Sequence, residues 1–453
     1  MGALPADFVF GVSTASYQIE GAVTADGRGR SVWDDFCDRP GAIVDGSSGA
    51  VACDSYHRYA EDVALIRGLG ADAYRFSIAW PRVIPDGTGA VNPAGLDYYD
   101  RLVDALCDAG VKPCATLFHW DLPSPLEAVG GWVERDTAQA FAAYAQVVAE
   151  RLADRVAMWC PVNEPVIVTQ LGYGNGMHAP GKTLGLGALP VAHHLLLGHG
   201  LAVAALRAAG AAAVGAANNH TPVWPLSQEP ADLVGAQFYD ALHNRLFADP
   251  MLLGSYPDGF AALVPGPVAD DLEIISAPLD FYGFNYYFPT LAGAPGGAGD
   301  PAIDTSGLPF TIHRIEGYPR TDFDWPVVPD GLRELLVQLQ QRYAEHLPPM
   351  YVTENGCADA VEPDASGRAA DPERIAYLDG HLAAVAQARE EGARIDGYFC
   401  WSLMDNFEWA EGYTKRFGLV HIDLETGTRT PRDSYAWYRD YIAATRASAP
   451  QGV

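Results

Sequence analysis

The alternation of short apolar segments with helical segments constrains the fold of this chain more than any other feature. Eight segments are predicted to be buried strands, because each is apolar and ends at a turn signal or a polar residue. They span residues 8–15, 72–80, 112–120, 159–164, 212–219, 279–287, 350–354 and 395–403. Helices are predicted at about 54–70, 93–110, 136–153, 188–210, 231–247, 330–343, 372–391 and 432–446. Short apolar strands joined by helical crossovers indicate a parallel sheet that is buried on both faces.

Eight such units predict a closed barrel. The first strand is not followed by a glycine-rich dinucleotide-binding fingerprint, which favours an α/β fold of the (β/α)8 TIM barrel type with long βα loops over an open doubly wound sheet. We found no domain boundary and expect a single domain over residues 1–453. Asp54 and Gly70 are predicted to cap the first long helix. Residues 289–329, rich in Gly, Pro and Asp, are predicted to form a long surface excursion at the rim of the site.

The charge balance argues against several classes of partner. The chain has 29 Lys and Arg residues against 57 Asp and Glu residues, for a net charge of -28. Because phosphate backbones and anionic membranes need clustered cations, neither nucleic acid nor a membrane is an expected partner. Only three of the 29 basic residues are Lys, which together with the alanine richness suggests biased codon usage; adaptation to high salt is a rival interpretation of the acidic surface. The sequence makes no prediction of an oligomeric state.

The cysteines, the first ten residues and the apolar segments together predict a cytoplasmic protein without a metal. The seven cysteines show no CxxC or Cys/His spacing typical of zinc, so no metal or other cofactor is expected. Residues 1–10 lack the features of a signal peptide, which predicts a cytoplasmic location. The apolar region 195–217 is interrupted by His199, Arg207 and Gly210. We therefore expect a buried helix and a strand there, not a membrane span.

Unusual polar and aromatic residues fall at or just after the carboxyl ends of predicted strands. They are Gln18, His119, Asn163, Glu164, Asn285, Tyr287, Glu354 and Trp401. In a barrel these strand ends share one face, and that face carries the active site.

Two of these positions carry carboxylates at the ends of buried strands. The stretch WCPVNEP (159–165) ends in Asn163, Glu164 and a proline that stops the strand. The stretch YVTENG (351–356) places Glu354 in the same way. Either glutamate alone could be a solvated loop residue, but two such carboxylates are the minimum needed to cleave a glycosidic bond.

Neighbouring residues suggest which carboxylate plays which role. Arg75, in the middle of its predicted strand, could lie beside Glu354, and the Tyr287 hydroxyl could donate to it. Both contacts would favour the ionised form that a nucleophile needs. Glu164 would then sit near a negative charge and apolar walls, which would raise its pKa and suit a general acid. The two would titrate as a coupled pair with a bell-shaped pH profile.

Other side chains are suited to binding a sugar. Hydrogen bonds to hydroxyl groups are expected from Gln18, His119, Asn163 and Glu408. Apolar walls for the ring are expected from Trp120, Trp401, Trp409 and Phe417. Core packing is the alternative for any single Trp, but the density of polar and aromatic residues in 401–418 argues against it there. His193, His194 and His199 lie in an apolar helix and are expected to be structural or surface residues.

Long ordered motifs resemble those of the family 1 glycoside hydrolases, which are β-glucosidases and their relatives. The resemblance covers nearly the whole chain. It is carried by FVFGVSTASYQIEGA (8–22), YRFSIAWPR (74–82), LFHWDLP (117–123), WCPVNEP (159–165), GYGNGMHAPG (172–181), GFNYY (283–287), YVTENG (351–356) and WSLMDNFEWAEGYTKRFGLVHID (401–423).

The resemblance implies a (β/α)8 barrel and a retaining double displacement, with Glu164 as acid/base and Glu354 as nucleophile. It implies glycone binding by Gln18, His119, Asn163, Tyr287, Trp401, Glu408 and Trp409, with Asn285 nearby. It also suggests that His178 and Trp325 line the aglycone side. The implied substrate is a small β-glucoside or a cello-oligosaccharide, with some tolerance of galactose or fucose.

Departures and retentions refine this interpretation. Pro161 replaces the usual Thr, and 289–329 matches the family pattern only near Trp325. Glu164 is retained where thioglucosidase relatives have Gln, and Glu408 is retained where 6-phosphoglycosidase relatives have smaller or basic residues. A non-phosphorylated sugar is therefore favoured. The alternatives are a transglycosylase that uses the same site and a sugar-binding barrel without catalysis.

Overall fold

Eight parallel strands form the barrel that the sequence predicts. The computed structural model describes residues 4–447; residues 1–3 and 448–453, which belong to the predicted 1–453 domain, lie outside the described residues. The barrel strands are β1 (Val9–Ser13), β2 (Ala73–Ser77), β3 (Lys112–Phe118), β4 (Met158–Val162), β5 (Gly215–Asn219), β7 (Phe281–Asn285), β10 (Met350–Asn355) and β11 (Ile395–Trp401). A short strand, β6 (Val223–Pro225), follows β5 outside the barrel.

The order of the strands explains how the barrel closes. Hydrogen-bonded neighbours follow the order β4-β3-β2-β1-β11-β10-β7-β5. The two ends of that row meet through parallel bridges that join Trp159 to Val214 and Asn163 to Ala217. The Glu164 amide also donates to the Ala217 carbonyl at 2.8 Å. The closed (β/α)8 architecture is thus confirmed.

Helices surround the barrel and fill the loops at its carboxyl end. They are α1 (Ser16–Ile19), α2 (Val32–Cys37), α3 (Ser55–Leu69), α4 (Trp80–Val83), α5 (Pro93–Asp108), α6 (Ser124–Ala128), α7 (Asp136–Leu152), α8 (Pro165–Ile167), α9 (Leu189–Ala208), α10 (Pro230–Asp240), α11 (Leu246–Leu253), α12 (Val268–Ile275), α13 (Pro329–Tyr343), α14 (Pro372–Glu390) and α15 (Asp433–Ala447). All eight predicted long helices are present.

Three local predictions need correction. Gly70 caps α3 in the left-handed conformation, but Asp54 makes no side-chain cap and instead binds His57 Nδ1 at 2.6 Å. The helix predicted over 231–247 ends at Asp240, where a π-helical turn (Ala241–Arg245) leads into α11. Helix α12 was not predicted; it lies between the predicted helix 231–247 and the predicted strand 279–287.

The rim segment 289–329 is more ordered than its composition indicates. It contains β8 (Thr290–Gly293) and β9 (Thr311–His313), which join β6 in a three-stranded sheet. These strands are only three or four residues long, too short for a periodic pattern to identify. A second small sheet pairs β12 (Val420–Ile422) with β13 (Arg429–Pro431).

Helix α9 accounts for the apolar region near residue 200. The segment Gly185–Ala208 is long and apolar enough to cross a membrane, yet 78% of its most apolar window is buried within the protein. His193, His194 and His199 are all buried, which confirms a structural role and excludes the surface alternative. His193 lies between the Tyr256 hydroxyl (2.7 Å) and Asp271 Oδ2 (2.9 Å).

Candidate active site

The backbone holds Glu164 in an uncommon conformation at the mouth of the barrel. It directly follows β4 and precedes Pro165, with φ 47° and ψ 61° in the left-handed region. Trp120 and Trp409 also have positive φ, 77° and 49°. Such a conformation costs roughly 1–3 kcal/mol for a residue other than glycine and persists only where its surroundings enforce it. The site therefore carries local backbone strain at three residues.

Glu354 is buried against a cation. Arg75 Nη1 lies 2.5 Å from Glu354 Oε1, and the Tyr287 hydroxyl donates to Oε2 at 2.9 Å. Both predicted contacts are present. Burial nevertheless raises the pKa of Glu354 above its usual range, and the guanidinium and the hydroxyl limit that rise. The two contacts favour the ionised form of Glu354, but they do not fully offset the rise in its pKa that burial causes.

Glu164 has neutral hydrogen-bond partners instead of a cation. Its Oε1 accepts from Asn219 Nδ2 at 2.9 Å and from Asn285 Nδ2 at 2.8 Å. Burial, reinforced by the negative charge of Glu354, raises the pKa of Glu164 to about 8. Since only Glu354 is in direct contact with a guanidinium, it is the carboxyl that ionises first. Glu164 therefore holds its proton more tightly than Glu354, for which the guanidinium favours the anion.

Amide side chains connect the two carboxylates. Asn163 Oδ1 accepts from Arg75 Nη2 at 2.6 Å and from Asn285 Nδ2 at 3.2 Å. The Thr353 hydroxyl donates to Asn285 Oδ1 at 2.7 Å, which orients the Asn285 amide nitrogen towards Glu164. A continuous chain therefore runs from Glu354 through Arg75, Asn163 and Asn285 to Glu164.

The same network sets the protonation of His119. Because Asn163 Oδ1 accepts, its Nδ2 donates, and His119 Nε2 at 3.1 Å must be the acceptor. Burial lowers the pKa of His119 well below its usual value, so the ring is neutral. Its proton consequently resides on Nδ1, which is available as a donor.

Three buried polar atoms point to a ligand rich in hydroxyl groups. Gln18 Oε1, His119 Nδ1 and Glu408 Oε2 have no hydrogen-bond partner within residues 4–447. Gln18 is held through its other end, because Nε2 donates to Asn406 Oδ1 at 3.0 Å and to the Phe407 carbonyl at 2.9 Å. Burial and the negative charges of Glu354 and Glu164 raise the pKa of Glu408 to about 8. Hydroxyl groups both donate and accept, so a sugar could satisfy all three atoms.

Aromatic rings form the walls. Trp409 packs on Trp120 with ring centroids 4.5 Å apart, and both Trp401 and Trp409 stack on His119 at 5.9 Å. Phe417 belongs to a buried cluster with Trp401, against which Tyr287 and Trp325 pack. His178 contacts Trp120 at 5.6 Å. Contacts of these kinds link the predicted site residues except Gln18 and Glu408; Gln18 binds Asn406 and Phe407, in the same loop that carries Glu408 and Trp409.

Some contributors were not identified from the sequence. Asn219 ends β5 and could have been found by the rule that selects strand ends. Trp33 packs on Trp409 at 4.6 Å, and Phe323 stacks on Trp325 at 4.2 Å. Trp33 lies in the short helix α2 and Phe323 in the rim segment, and neither has a sequence pattern that indicates the site. Within residues 4–447, no three or more His, Cys, Asp or Glu side chains are grouped to hold a metal ion.

The chain is similar to known glycosidases over nearly its whole length. The family model described as "Glycosyl hydrolase family 1" matches residues 1–447. The chain is 46% identical to the thermostable beta-glucosidase B of Thermobispora bispora, over 97% of this chain and 90% of that protein. It is 43% identical to a bifunctional beta-D-glucosidase/beta-D-fucosidase of Bifidobacterium breve, over 97% and 98% of the two chains. The solved family 1 β-glucosidase from Thermotoga maritima superposes with a TM-score of 0.92 at 39% identity, covering 98% of this chain and 99% of that one.

Proposed function

Because the chain belongs to glycosyl hydrolase family 1, we propose that it is a retaining β-glucosidase that removes terminal non-reducing β-D-glucosyl residues through a covalent glycosyl-enzyme. The observation that carries this proposal is the contrast between two buried carboxyl groups. Glu354 lies against the Arg75 guanidinium, whereas Glu164 accepts from the neutral amides of Asn219 and Asn285. The first contact favours an anion and the second set permits a protonated acid.

In the first step the Glu354 carboxylate attacks the anomeric carbon. Glu164 gives its proton to the glycosidic oxygen, which departs with the bonding electron pair as an alcohol. The product is a glycosyl ester of Glu354. Tyr287 and Arg75 hold the nucleophile in place and stabilise its charge before attack and after release.

In the second step the ionised Glu164 takes a proton from water, and the resulting nucleophile attacks the anomeric carbon from the opposite face to Glu354. The ester bond breaks, and the Glu354 carboxylate is restored beside Arg75. Glu164 ends protonated, ready for another cycle. Two inversions give net retention of the β configuration.

The surrounding residues suit a hexose. Gln18, His119, Asn163 and Glu408 provide acceptors and a donor for the hydroxyl groups, with Asn285 holding Asn163 and Glu164. Trp401 and Trp409 provide apolar surface for the ring. The half-buried rings of His178 and Trp325 suit the aglycone, and Trp120 and Phe417 extend the apolar wall.

The charge of the site limits the substrate. Glu408 is buried and lies within range of the negative charges of Glu354 and Glu164. The Glu408 carboxylate would repel a 6-phosphate, which supports a non-phosphorylated sugar as the substrate. The bifunctional relative supports activity on β-fucosides as well. Cello-oligosaccharides, which end in a β-glucosyl residue, are the proposed natural class.

The alternatives have less support. A barrel that binds sugars without catalysis does not require one carboxyl group beside a cation and another beside neutral amides. The relatives named above are also called glucosidases. Transglycosylation uses the same glycosyl-enzyme, with a sugar in place of water. The acidic composition also supports the absence of nucleic acid and membranes among the partners. The cytoplasmic location stays a prediction that cell fractionation would test.

The test measures release of p-nitrophenol from p-nitrophenyl β-D-glucoside by the wild type, by Glu354→Gly and by Glu425→Gly. Glu425 is exposed and serves as the matched control, so its variant should retain wild-type turnover. Glu354→Gly should be inactive and should recover with azide, giving the α-glucosyl azide, because azide occupies the space of the lost carboxylate. A β-azide product, or an active Glu354→Gly enzyme, would refute the assigned nucleophile. No wild-type turnover on β-glucoside, galactoside or fucoside would refute the proposed activity.

A further inference from the structure

The hydrogen bond between Asn219 and Glu164 depends on the orientation of the Asn219 amide. Its Nδ2 donates to Glu164 Oε1 at 2.9 Å, so its Oδ1 must point away from the carboxyl group. That oxygen faces His243 Nε2 at 3.0 Å. An amide turned by 180° would instead place Oδ1 against Glu164. The group that donates to Oδ1 therefore decides what Asn219 presents to Glu164.

His243 is built into a distinctive backbone element. It lies in the π-helical turn Ala241–Arg245 between α10 and α11, and it is 6% exposed. Single π-helical turns of this kind are frequent at functional sites. The turn brings the ring to the end of β5, although His243 and Asn219 are 24 residues apart in sequence.

The contacts of His243 define one tautomer. Because Asn219 Oδ1 can only accept, the His243 proton is on Nε2. Nδ1 then accepts from the Tyr239 hydroxyl at 3.3 Å, and the two rings stack with centroids 5.4 Å apart. Burial lowers the pKa of His243 to about 3, so the ring is neutral whenever Glu164 is working. The titratable groups that act on it are His220, itself held neutral by burial, and Asp240.

We propose that His243 is a positioning residue for Glu164, acting through the amide of Asn219. Its Nε2–H fixes the amide so that Nδ2 faces the carboxyl group. Asn219 and Asn285 then both donate to Oε1, which leaves the acidic proton to Oε2, the oxygen that must reach the glycosidic oxygen. This inference rests on the proposed role of Glu164 as general acid.

Loss of the His243 donor has a predictable electrostatic effect. The Asn219 N–H stabilises the ionised form of Glu164 and lowers its pKa, as Arg75 also does. Burial and the charge of Glu354 act in the opposite direction and raise that pKa. Without that N–H, the pKa of Glu164 rises. A turned amide would also draw the acidic proton towards Asn219 Oδ1 and away from the leaving group.

The test compares His243→Leu with His243→Gln, whose amide N–H reaches a similar position to Nε2–H. We would measure kcat/KM against pH for cellobiose, a poor leaving group, and for p-nitrophenyl β-D-glucoside, a good one. His243→Leu should lose roughly tenfold on cellobiose, the effect of one hydrogen bond to an ionisable group, with little loss on the aryl glucoside. The basic limb of its kcat/KM profile should move to higher pH. His243→Gln should restore most of the activity on cellobiose and most of the wild-type pH profile.

His199→Leu provides the matched control. His199 is also buried, and its ring nitrogens have no partner among the described residues, so its loss should leave the leaving-group ratio and the pH profile unchanged. If His243→Leu does not fold, Asn219→Ala removes the same N–H donor at the strand end and should move the basic limb in the same direction.

Two outcomes would overturn the inference. One is equal losses on both substrates with an unshifted pH profile, which would show that His243 only packs. The other is a failure of His243→Gln to recover activity while His243→Leu behaves as a structural variant. Failure of the proposed function is distinguishable, because it would appear in the wild type or as an absence of any leaving-group effect in Glu164→Gln.

Discussion

Arg75 and Glu354 form an ion pair across the interior of the barrel. Arg75 lies on β2 and Glu354 on β10, and the strands β1 and β11 stand between them in the sheet. The side chains are 1% and 4% exposed, and their nearest atoms are 2.5 Å apart. A buried pair of this kind gains little net stability, because desolvation opposes the attraction. Its presence is better explained by the need for an anion at Glu354.

Arg75→Met should therefore impair both stability and catalysis. It leaves Glu354 buried without its cation, which costs about 3–5 kcal/mol when the carboxyl is ionised. The pKa of Glu354 should rise, so the acidic limb of kcat/KM should move to higher pH. Urea unfolding at pH 5 and pH 8, together with the pH profile, would check this, and the destabilisation should be smaller at pH 5. Arg333→Met, which breaks a more exposed pair with Glu391, is the control. Similar losses in both variants would contradict the prediction.

Glu164→Gln should separate substrates by leaving group. Gln cannot donate an acidic proton, so cellobiose and alkyl glucosides should lose kcat/KM by roughly 10²–10⁴-fold, the usual contribution of general acid catalysis. Aryl glucosides with activated leaving groups need little protonation and should retain most of their kcat/KM. A series of aryl glucosides of increasing phenol pKa would measure the trend. The same loss across the series would exclude Glu164 as the acid.

The same variant should change how stability depends on pH. Burial raises the folded-state pKa of Glu164 to about 8, above its value in the unfolded chain. The folded state thus binds the proton more tightly, and this contribution is complete at pH 4 and lost as pH rises through 8. Glu164→Gln has no such loss, so its stability relative to wild type should improve on the order of 3 kcal/mol between pH 5 and pH 9. Urea midpoints at the two pH values test this, and a constant difference would disprove it.

Glu408→Ala should weaken binding of the sugar in the transition state. The buried Oε2 has no partner within residues 4–447, which suits a hydrogen bond to a substrate hydroxyl. Its removal should lower kcat/KM for β-glucosides by roughly 10²-fold, the effect of one or two strong hydrogen bonds. Glu411→Ala, three residues further along the same loop, should have little effect. Comparable activity of both variants would place Glu408 outside the sugar site.

Several elements of the fold could be predicted because their signals are local. β3 was predicted over 112–120 and spans Lys112–Phe118. The error lies at its end, where Trp120 turns into the left-handed region while its apolar side chain continues the strand pattern. β8 and β9 were missed for a different reason. β8 pairs with β6, which is more than 60 residues earlier in the chain, and β9 pairs with β8, so their own few residues carry little signal.

Residues of the candidate site could likewise be predicted where their signals are local, and were missed where their role depends on packing. Glu164 and Glu354 could be found because each follows an apolar strand and precedes a turn signal. Arg75 was assigned to Glu354 from its position on a strand. The role of Asn219 was not found, since its contact with Glu164 and with His243 depends on how β5 and the π-helical turn pack.

The sequence by itself determined the (β/α)8 barrel, the face formed by the carboxyl ends of its strands and the two carboxyl groups on that face. It could do so because hydrophobic periodicity and turn residues are signals that act over a few positions. Only the tertiary structure decided the electrostatics. Burial raises the pKa of both Glu164 and Glu354, and the arrangement of Arg75, Asn285 and Asn219 makes the two groups different. Desolvation and hydrogen bonding depend on every neighbour within a few ångströms, and most of those neighbours are distant in the chain.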